Sequence, residues 1–148
     1  MLKHIICLLI FFNVAIISMA QSTGPRALEQ YKWEQRLFIV FAETDSSNLY
    51  KKQIKELRDH EDGLQDRDLK ILHLFIDDQS HSGVTPLPEE TVGTLYQTYD
   101  IAKGDFVVIL IGKDGTEKLR ARSPLPTDKL FSVIDAMPMR QREMQQRQ

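Results

Sequence analysis

Hydroxyl and carboxyl side chains are clustered at residues 44–47, directly after the apolar run at residues 36–42. These residue types are preferred N-caps, so the simplest interpretation is that they begin a helix. The free N–H groups of a helix N-terminus also favour anions, and two arginines further along the chain could add positive charge. The sequence therefore leaves open an anion or ligand site at Thr44, Asp45, Ser46, Ser47, Arg120 and Arg122.

The histidines and acidic pairs do not form a recognisable metal motif. Asp77 and Asp78 with His81 could begin a metal site, but a closed set of ligands is not visible. We therefore expect no metal and no cofactor. His73 lies inside an apolar run and is expected to be a hydrogen-bonded core or edge residue.

A group of basic residues follows the apolar run at residues 106–111: Lys113, Lys118, Arg120 and Arg122. The simpler interpretation is that they are solubilising charges on an edge strand. The alternative is a surface patch for an anionic partner or a glycan.

Apolar runs predict the strands that would position these groups. Residues 36–42, 69–76 and 106–111 are continuous runs typical of strands buried on both faces. A more polar strand at 116–122 should follow the Asp114-Gly115 turn, because Asp-Gly is a strong hairpin signal. We place that strand at the sheet edge.

Helical spacing of apolar residues predicts three helices. The first runs from Leu49 to near Gly63, the second begins at Pro88, and the third begins at Thr127 or Asp128 and ends at Pro138. The polar stretch 79–87 is expected to be a loop, and residues 140–148 a flexible tail. Trp33, before the first strand, is expected to pack over the sheet.

The predicted order is β-α-β-α-β-β-α, an α/β fold with a mixed four-stranded sheet and helices on both faces. Right-handed crossovers would place the first three strands in one sheet, and the hairpin would add an antiparallel strand. This is the minimal thioredoxin-like (peroxiredoxin-like) arrangement.

Proteins of that fold carry their chemistry where the first strand meets the first helix. Thr44-x-x-Ser47 is similar to the Thr-x-x-Cys pattern of peroxiredoxins with serine in the cysteine position. A serine hydroxyl cannot form a sulfenic acid or a disulfide. The proline of that pattern is also absent, and residues 102–106 lack the proline that precedes the third strand in redox proteins. The sequence thus predicts the architecture without its usual redox site.

Three segments resemble a known family: Trp33-x-x-Arg36 with the apolar run to Phe41, residues 110–120, and residues 130–140. The chain resembles the peroxiredoxin-like domain of unknown function called DUDES. That domain occurs in short secreted bacterial proteins and in animal sushi-repeat-containing and coiled-coil-domain matrix proteins. The resemblance implies a thioredoxin-like fold and secretion, and it implies no established activity.

The first twenty residues have the three parts of a secretory signal peptide. Lys3 is followed by an apolar run from Ile5 to Ile17, and the small residues Ser18 and Ala20 precede Gln21. An uncleaved anchor is the alternative, but the run is short for a bilayer span. Cleavage after Ala20 would remove Cys7, which is the single cysteine of the chain. The expected organisation is a signal at 1–20, a lead-in at 21–32, a thioredoxin-like domain at 33–139 and the tail.

Composition excludes several classes of protein. The chain has 148 residues, 42% hydrophobic and 27% charged, which is typical of a globular domain. Its net charge of -2 disfavours a nucleic-acid partner. After cleavage we expect no membrane span and a location in the periplasm or outside the cell.

Two functions remain open from the sequence. The first is a secreted, non-catalytic binding or structural module with an extracytoplasmic protein or glycan as its partner. The second is an anion- or ligand-handling enzyme, or a redox-related protein, that uses the first helix N-terminus without cysteine. The sequence favours the first because few reactive groups converge.

Overall fold

A six-stranded sheet is the centre of the computed structural model, which describes residues 25–147. The strands are β1 (Arg36–Ala42), β2 (Leu69–Phe75), β3 (His81–Ser82), β4 (Thr85–Pro86), β5 (Val107–Ile111) and β6 (Glu117–Ala121). Their order across the sheet is β4-β3-β2-β1-β5-β6. The signal peptide predicted at residues 1–20 lies outside the described residues.

Helices cover both faces of this sheet. After a short 3-10 helix (Arg26–Tyr31), they are α1 (Asn48–Arg58), α2 (Glu61–Asp66), α3 (Glu89–Thr98), α4 (Thr127–Asp135) and α5 (Pro138–Gln146). Apolar residues of α3 pack on one face, and those of α1, α2 and α4 pack on the other. Among these described helices, none is long and apolar enough to cross a membrane.

The central strand β1 is buried along its whole length, as its unbroken apolar run predicts. Side chains of a strand alternate between the two faces. Ile39 and Phe41 therefore pack under α3, while Phe38 and Val40 pack under α1 and α4. Burying each such side chain stabilises the fold by about 1.5–3 kcal/mol, so β1 anchors two separate cores.

The direction of β5 differs from the sequence expectation. β1 and β2 are parallel, but β5 runs antiparallel to β1, with Val107 opposite Phe41 and Ile111 opposite Leu37. The chain enters β5 beside the C-terminal end of β1, because α3 and the turn at 102–105 return it to that end of the sheet. A crossover between parallel strands thus joins β1 to β2, whereas β2 and β5 run in opposite directions.

The polar stretch after β2, predicted as a loop, contains the short β3–β4 hairpin. Ser80 reverses the chain, since its hydroxyl accepts from the Phe75 N–H at 2.8 Å and donates to the Phe75 carbonyl at 3.2 Å. Gly83 then adopts a φ of 59° in the turn, a backbone conformation that glycine reaches without steric cost. These two strands raise the predicted four strands to six.

The first predicted helix is divided into α1 and α2. At the end of α1, the carbonyl of Glu56 accepts from His60 Nδ1 at 2.8 Å. The His60 N–H bonds instead to the Leu57 carbonyl, one residue closer. This competition from a side chain ends the α-helical ladder before Gly63.

The C-terminal residues form a helix where the sequence predicts a flexible tail. Pro138 does not end the chain's regular structure, since it occupies the first turn of α5, where its missing N–H costs nothing. Arg140 in this helix is 3% exposed. Contacts with distant residues, described below, hold α5 in place.

Trp33 also differs from its expected position over the sheet. Its side chain is 62% exposed, and its backbone has a φ of 67°. The Trp33 N–H donates to the Lys113 carbonyl at 2.7 Å. This bond fixes a left-handed turn that directs the side chain outward.

Candidate functional site

The start of α1 is the place where the sequence predicts either helix caps or a ligand site. Ser47 is the N-cap residue, with an extended backbone, and its Oγ accepts from the Tyr50 N–H at 3.3 Å. Thr44 Oγ1 and Ser46 Oγ lie 2.7 Å apart and share a hydrogen bond. The hydroxyls at this junction are therefore engaged in local hydrogen bonds.

A carboxylate already accepts a hydrogen bond from a backbone N–H at this end of the helix. The Asp45 N–H donates to Asp78 Oδ2, which comes from the loop after β2, at 2.9 Å. An incoming anion would have to displace that carboxylate and would meet its negative charge. The junction is thus less receptive to anions than a bare helix N-terminus.

The two arginines proposed for the same site lie elsewhere in the fold. Arg120 is opposite Ile109 in the sheet and faces α3, where its Nη1 donates to the Tyr99 carbonyl at 2.8 Å. Arg122 pairs with Asp105 at 2.9 Å. The structure brings Thr44, Ser46 and Ser47 together, but Arg120 and Arg122 make their ion pairs with other partners.

His73 has the hydrogen bond that its apolar surroundings predict. Its Nδ1 lies 2.9 Å from the Tyr50 hydroxyl, which confirms the expectation of a satisfied core or edge histidine. Burial, together with the charge that His81 can carry, lowers the pKa of His73 to about 4. This ring is therefore neutral at neutral pH.

A buried ion-pair network lies at the opposite end of the sheet, where β1 begins, and the sequence did not predict it. Arg36, which is 1% exposed at the start of β1, donates to both carboxylate oxygens of Glu143 in α5, at 3.1 and 3.2 Å. Lys113 joins the same carboxylate at 2.9 Å and Asp68 at 2.8 Å. The network thus ties the first strand, the β5–β6 turn and the last helix to one another.

Arg140 extends this network to α2 and α4. Its guanidinium donates to the Asp66 carbonyl at 2.7 Å, to the Asp66 carboxylate and to Asp135. Arg67 approaches the same Asp135 carboxylate at 2.6 Å. Burial alone would raise the pKa of Asp135 and of Glu143, but the basic partners of each hold it below its usual value.

Residues from all three family-like segments meet in this network. The first segment contributes Arg36, the second Lys113, and the third both Asp135 and Arg140. An arginine at the start of an apolar run was the available sequence signal, but its partner lies 107 residues away. Each of these side chains has an ion-pair partner within the network, which indicates a structural role.

Basic side chains of the hairpin are neutralised, in contrast to those of α1. Lys113, Lys118, Arg120 and Arg122 each pair with at least one carboxylate. Along α1 the exposed residues include Lys51, Lys52, Lys55 and Arg58, and none of them has an ion-pair partner within residues 25–147. Within residues 25–147, α1 therefore carries a concentration of exposed positive charge that no ion pair neutralises.

A groove of about 800 Å³ lies between α3 and the loop that follows β2. Its apolar lining includes Leu87 and Val92, and its carboxylates include Asp77 and Asp100. The Tyr96 hydroxyl in the lining donates to the carbonyls of Ala42 and Leu74. Within the described residues, no three His, Cys, Asp or Glu side chains are grouped to hold a metal ion.

Solved structures share this fold. The reduced 2-Cys peroxiredoxin of Plasmodium vivax aligns with a TM-score of 0.60 and 14% identity, over 78% of this chain and 84% of that one. AhpC of Mycobacterium tuberculosis aligns with a TM-score of 0.56 and 18% identity, over 73% of this chain and 71% of that one. Identities this low establish the fold alone, which is thioredoxin-like, as predicted.

Curated relatives come from longer animal proteins. Sushi repeat-containing protein SRPX2 of Xenopus laevis is 25% identical over 134 residues, covering 88% of this chain and 29% of that protein. Coiled-coil domain-containing protein 80 of Danio rerio is 28% identical over 140 residues, covering 81% of this chain and 16% of that protein. The chain thus spans less than a third of the relatives that it matches.

The family itself is shown by a match over most of the chain. The model described as a domain of unknown function, DUF4174, matches residues 27–143. Together with the sushi-repeat and coiled-coil relatives, this match confirms the resemblance inferred from the three sequence segments. The chain therefore has a thioredoxin-like fold and belongs to the DUF4174 family.

Proposed function

We propose that this domain is an exported, non-catalytic binding or structural module. The observation that carries the proposal is the start of α1, where peroxiredoxins hold a cysteine and this chain holds Ser47. The Ser47 hydroxyl caps the helix, so its role is accounted for by local structure. Serine also lacks the thiol–disulfide chemistry of cysteine.

The alternative function is anion or ligand handling at the same helix N-terminus. Thr44 and Ser46 could donate to a ligand there, but their hydroxyls already bond to each other. The Asp78 carboxylate occupies the Asp45 N–H, and Arg120 faces α3 on the other side of the sheet. The observed arrangement supports the non-catalytic module more than this alternative.

Export is part of the proposal and rests on the predicted signal peptide. Cleavage after Ala20 would leave a chain without cysteine, with 18 basic side chains against 21 acidic ones. Mass spectrometry of the exported protein tests the cleavage directly. A mass that begins at Gln21 would support it, and a mass that retains Cys7 would count against it.

The outer face of α1 is the surface we propose for an anionic extracytoplasmic partner, a protein or a glycan. Lys51, Lys52, Lys55 and Arg58 are exposed and have no ion-pair partner among the described residues. Leu49 beside them is 44% exposed. Clustered unpaired charge attracts a partner of the opposite sign and accelerates the encounter.

Peroxide turnover by the purified protein is the direct test of the non-catalytic role. We expect consumption of hydrogen peroxide, with a thiol reductant present, to equal that of the buffer alone. The Ser47→Ala variant and the matched control Ser123→Ala, which changes an exposed loop serine, should behave in the same way. Turnover above the buffer level would contradict the proposal, and its loss in Ser47→Ala alone would favour the alternative.

A further inference from the structure

Two histidine rings lie stacked at the junction between the main sheet and the β3–β4 hairpin. The ring centroids of His73 in β2 and His81 in β3 are 4.3 Å apart, and their planes differ by 21°. The same two residues face each other in the antiparallel pairing, and they form the one register pair that joins β2 to β3 within the described residues. The hairpin is therefore attached beside this pair.

Hydrogen bonds determine where the pair can accept protons. His81 Nδ1 lies 2.8 Å from the Gly83 carbonyl, and since a carbonyl can only accept, that nitrogen carries the hydrogen. The proton-accepting atom of neutral His81 is then Nε2. His73 Nδ1 bonds to the Tyr50 hydroxyl at 2.9 Å, which links the pair to α1.

The surroundings of His73 offer little to stabilise a positive charge. Its titratable neighbours are Tyr50 from α1 and His81 from β3, while Val40 of β1 lies opposite it. Burial and the charge of Asp45 raise the pKa of the Tyr50 hydroxyl, and the charge of Arg58 lowers it. No carboxylate of the described residues bonds to either ring, so protonation of both would place two like charges at stacking distance.

We propose that the His73–His81 pair is a pH-sensitive switch, which holds the β3–β4 hairpin on β2 while both rings are neutral and releases it in acid. Release would uncover the outer edge of β2. It would also move Ser80 and Leu87, which line the groove beside α3, so acid would change the shape of that groove.

The hairpin is held on β2 in the closed state and released in the open state. The direction of the pH effect follows from the pKa of His73 in these two states. In the closed state, burial and His81 lower the pKa of His73 to about 4, against an ordinary value of 6.5 once it is exposed. The closed state is therefore favoured above pH 6.5 and loses this advantage as the pH falls toward 4. Across that window the opening equilibrium rises by up to about tenfold for each pH unit.

Hydrogen exchange of the purified protein, corrected for the pH dependence of the intrinsic rate, measures the opening. Between pH 7.5 and pH 5, we expect protection of the backbone N–H groups of residues 81–85 to fall by about thirtyfold, as the linkage relation gives, while residues 107–111 of β5 keep their protection. Constant protection of the hairpin would overturn the proposal. Equal loss in β5 would also overturn it, because the whole fold would then be opening.

Matched variants separate the pair from other histidines. His73→Phe keeps an aromatic ring but cannot be protonated, so it should abolish the pH response, whereas His60→Gln, at an exposed histidine on the loop before α2, should retain it. A persistent response in His73→Phe would overturn the proposal. If that variant does not fold, NMR titration of the native ring decides: His73 titrating near pH 4 supports the switch, and ordinary titration near 6.5 overturns it.

Discussion

The buried arginines are the individual residues whose surroundings matter most to this fold. A buried guanidinium is costly unless its donors are paired, and Arg36 and Arg140 meet that cost with bidentate or multiple bonds to carboxylates. Charge-assisted pairs of this geometry are stronger than neutral hydrogen bonds. The network therefore holds α5 where the sequence alone predicts a free tail.

Removing one carboxylate from this network should be strongly destabilising. Glu143→Gln leaves the buried Arg36 without its charge partner, so we expect the free energy of unfolding in urea to fall by about 3 kcal/mol. Asp105→Asn is the control, since its partner Arg122 is 67% exposed and such pairs contribute less than about 1 kcal/mol. Equal losses in the two variants would show that the network is not energetically special.

At the scale of elements, the glycines of α2 and α3 have different surroundings. Gly63 in α2 lies under the Phe131 ring of α4, and Arg67 stacks on that ring at 3.9 Å. Gly93 in α3 faces open space, since a Cβ at this position would meet no neighbouring atom within 4 Å. The same residue type thus serves close packing in one helix and no packing in the other.

Alanine at these two glycines should have opposite effects on stability. In Gly63→Ala the new Cβ would lie 2.5 Å from a Phe131 ring carbon, so we expect a loss of about 1–2 kcal/mol from overpacking. Gly93→Ala should gain about 0.5–1 kcal/mol, because alanine favours the helix and restricts the unfolded chain. Urea unfolding of both variants measures the difference, and a gain in Gly63→Ala would contradict the close packing.

At the scale of the whole molecule, charge is distributed unevenly. The chain has a net charge of -2, and its basic hairpin is neutralised by neighbouring carboxylates. Within residues 25–147 the cations along α1 have no ion-pair partner, so they form a positive face on a protein of negative net charge. Net charge therefore understates the capacity of this surface to attract an anionic partner.

Binding to a polyanion should depend on α1 more than on net charge. On a heparin column, Lys51→Glu combined with Lys55→Glu should elute at clearly lower salt than the native protein, since attraction between exposed charges is screened by salt. Lys103→Glu combined with Arg142→Glu makes the same change in charge at exposed residues elsewhere and should elute close to the native protein. Equal shifts would show that net charge, and not the α1 face, governs retention.

Local patterns explain how much could be predicted. The apolar runs at 36–42 and 107–111 became buried strands because a continuous apolar segment must be covered on both faces. Likewise, Ser47 became the N-cap and His73 found a hydrogen bond, since both outcomes depend on nearby backbone or on burial. The helix start at residues 44–47 could thus be predicted from local sequence, and the serine at position 47 excludes thiol chemistry there, whereas the positions of Arg120 and Arg122 could not be predicted.

By itself, then, the sequence determined the order of the four long strands and of the main helices between them, the hairpin turn at Asp114-Gly115, the serine at the start of α1 and the family. Tertiary structure decided the direction of β5, the docking of α5, the face on which Arg120 lies and the stacking of His73 on His81. The physical reason is the sequence separation over which each interaction acts. Periodicity and capping act within a few residues, whereas strand direction and buried ion pairs depend on partners as distant as Arg36 and Glu143, which meet only in the folded chain.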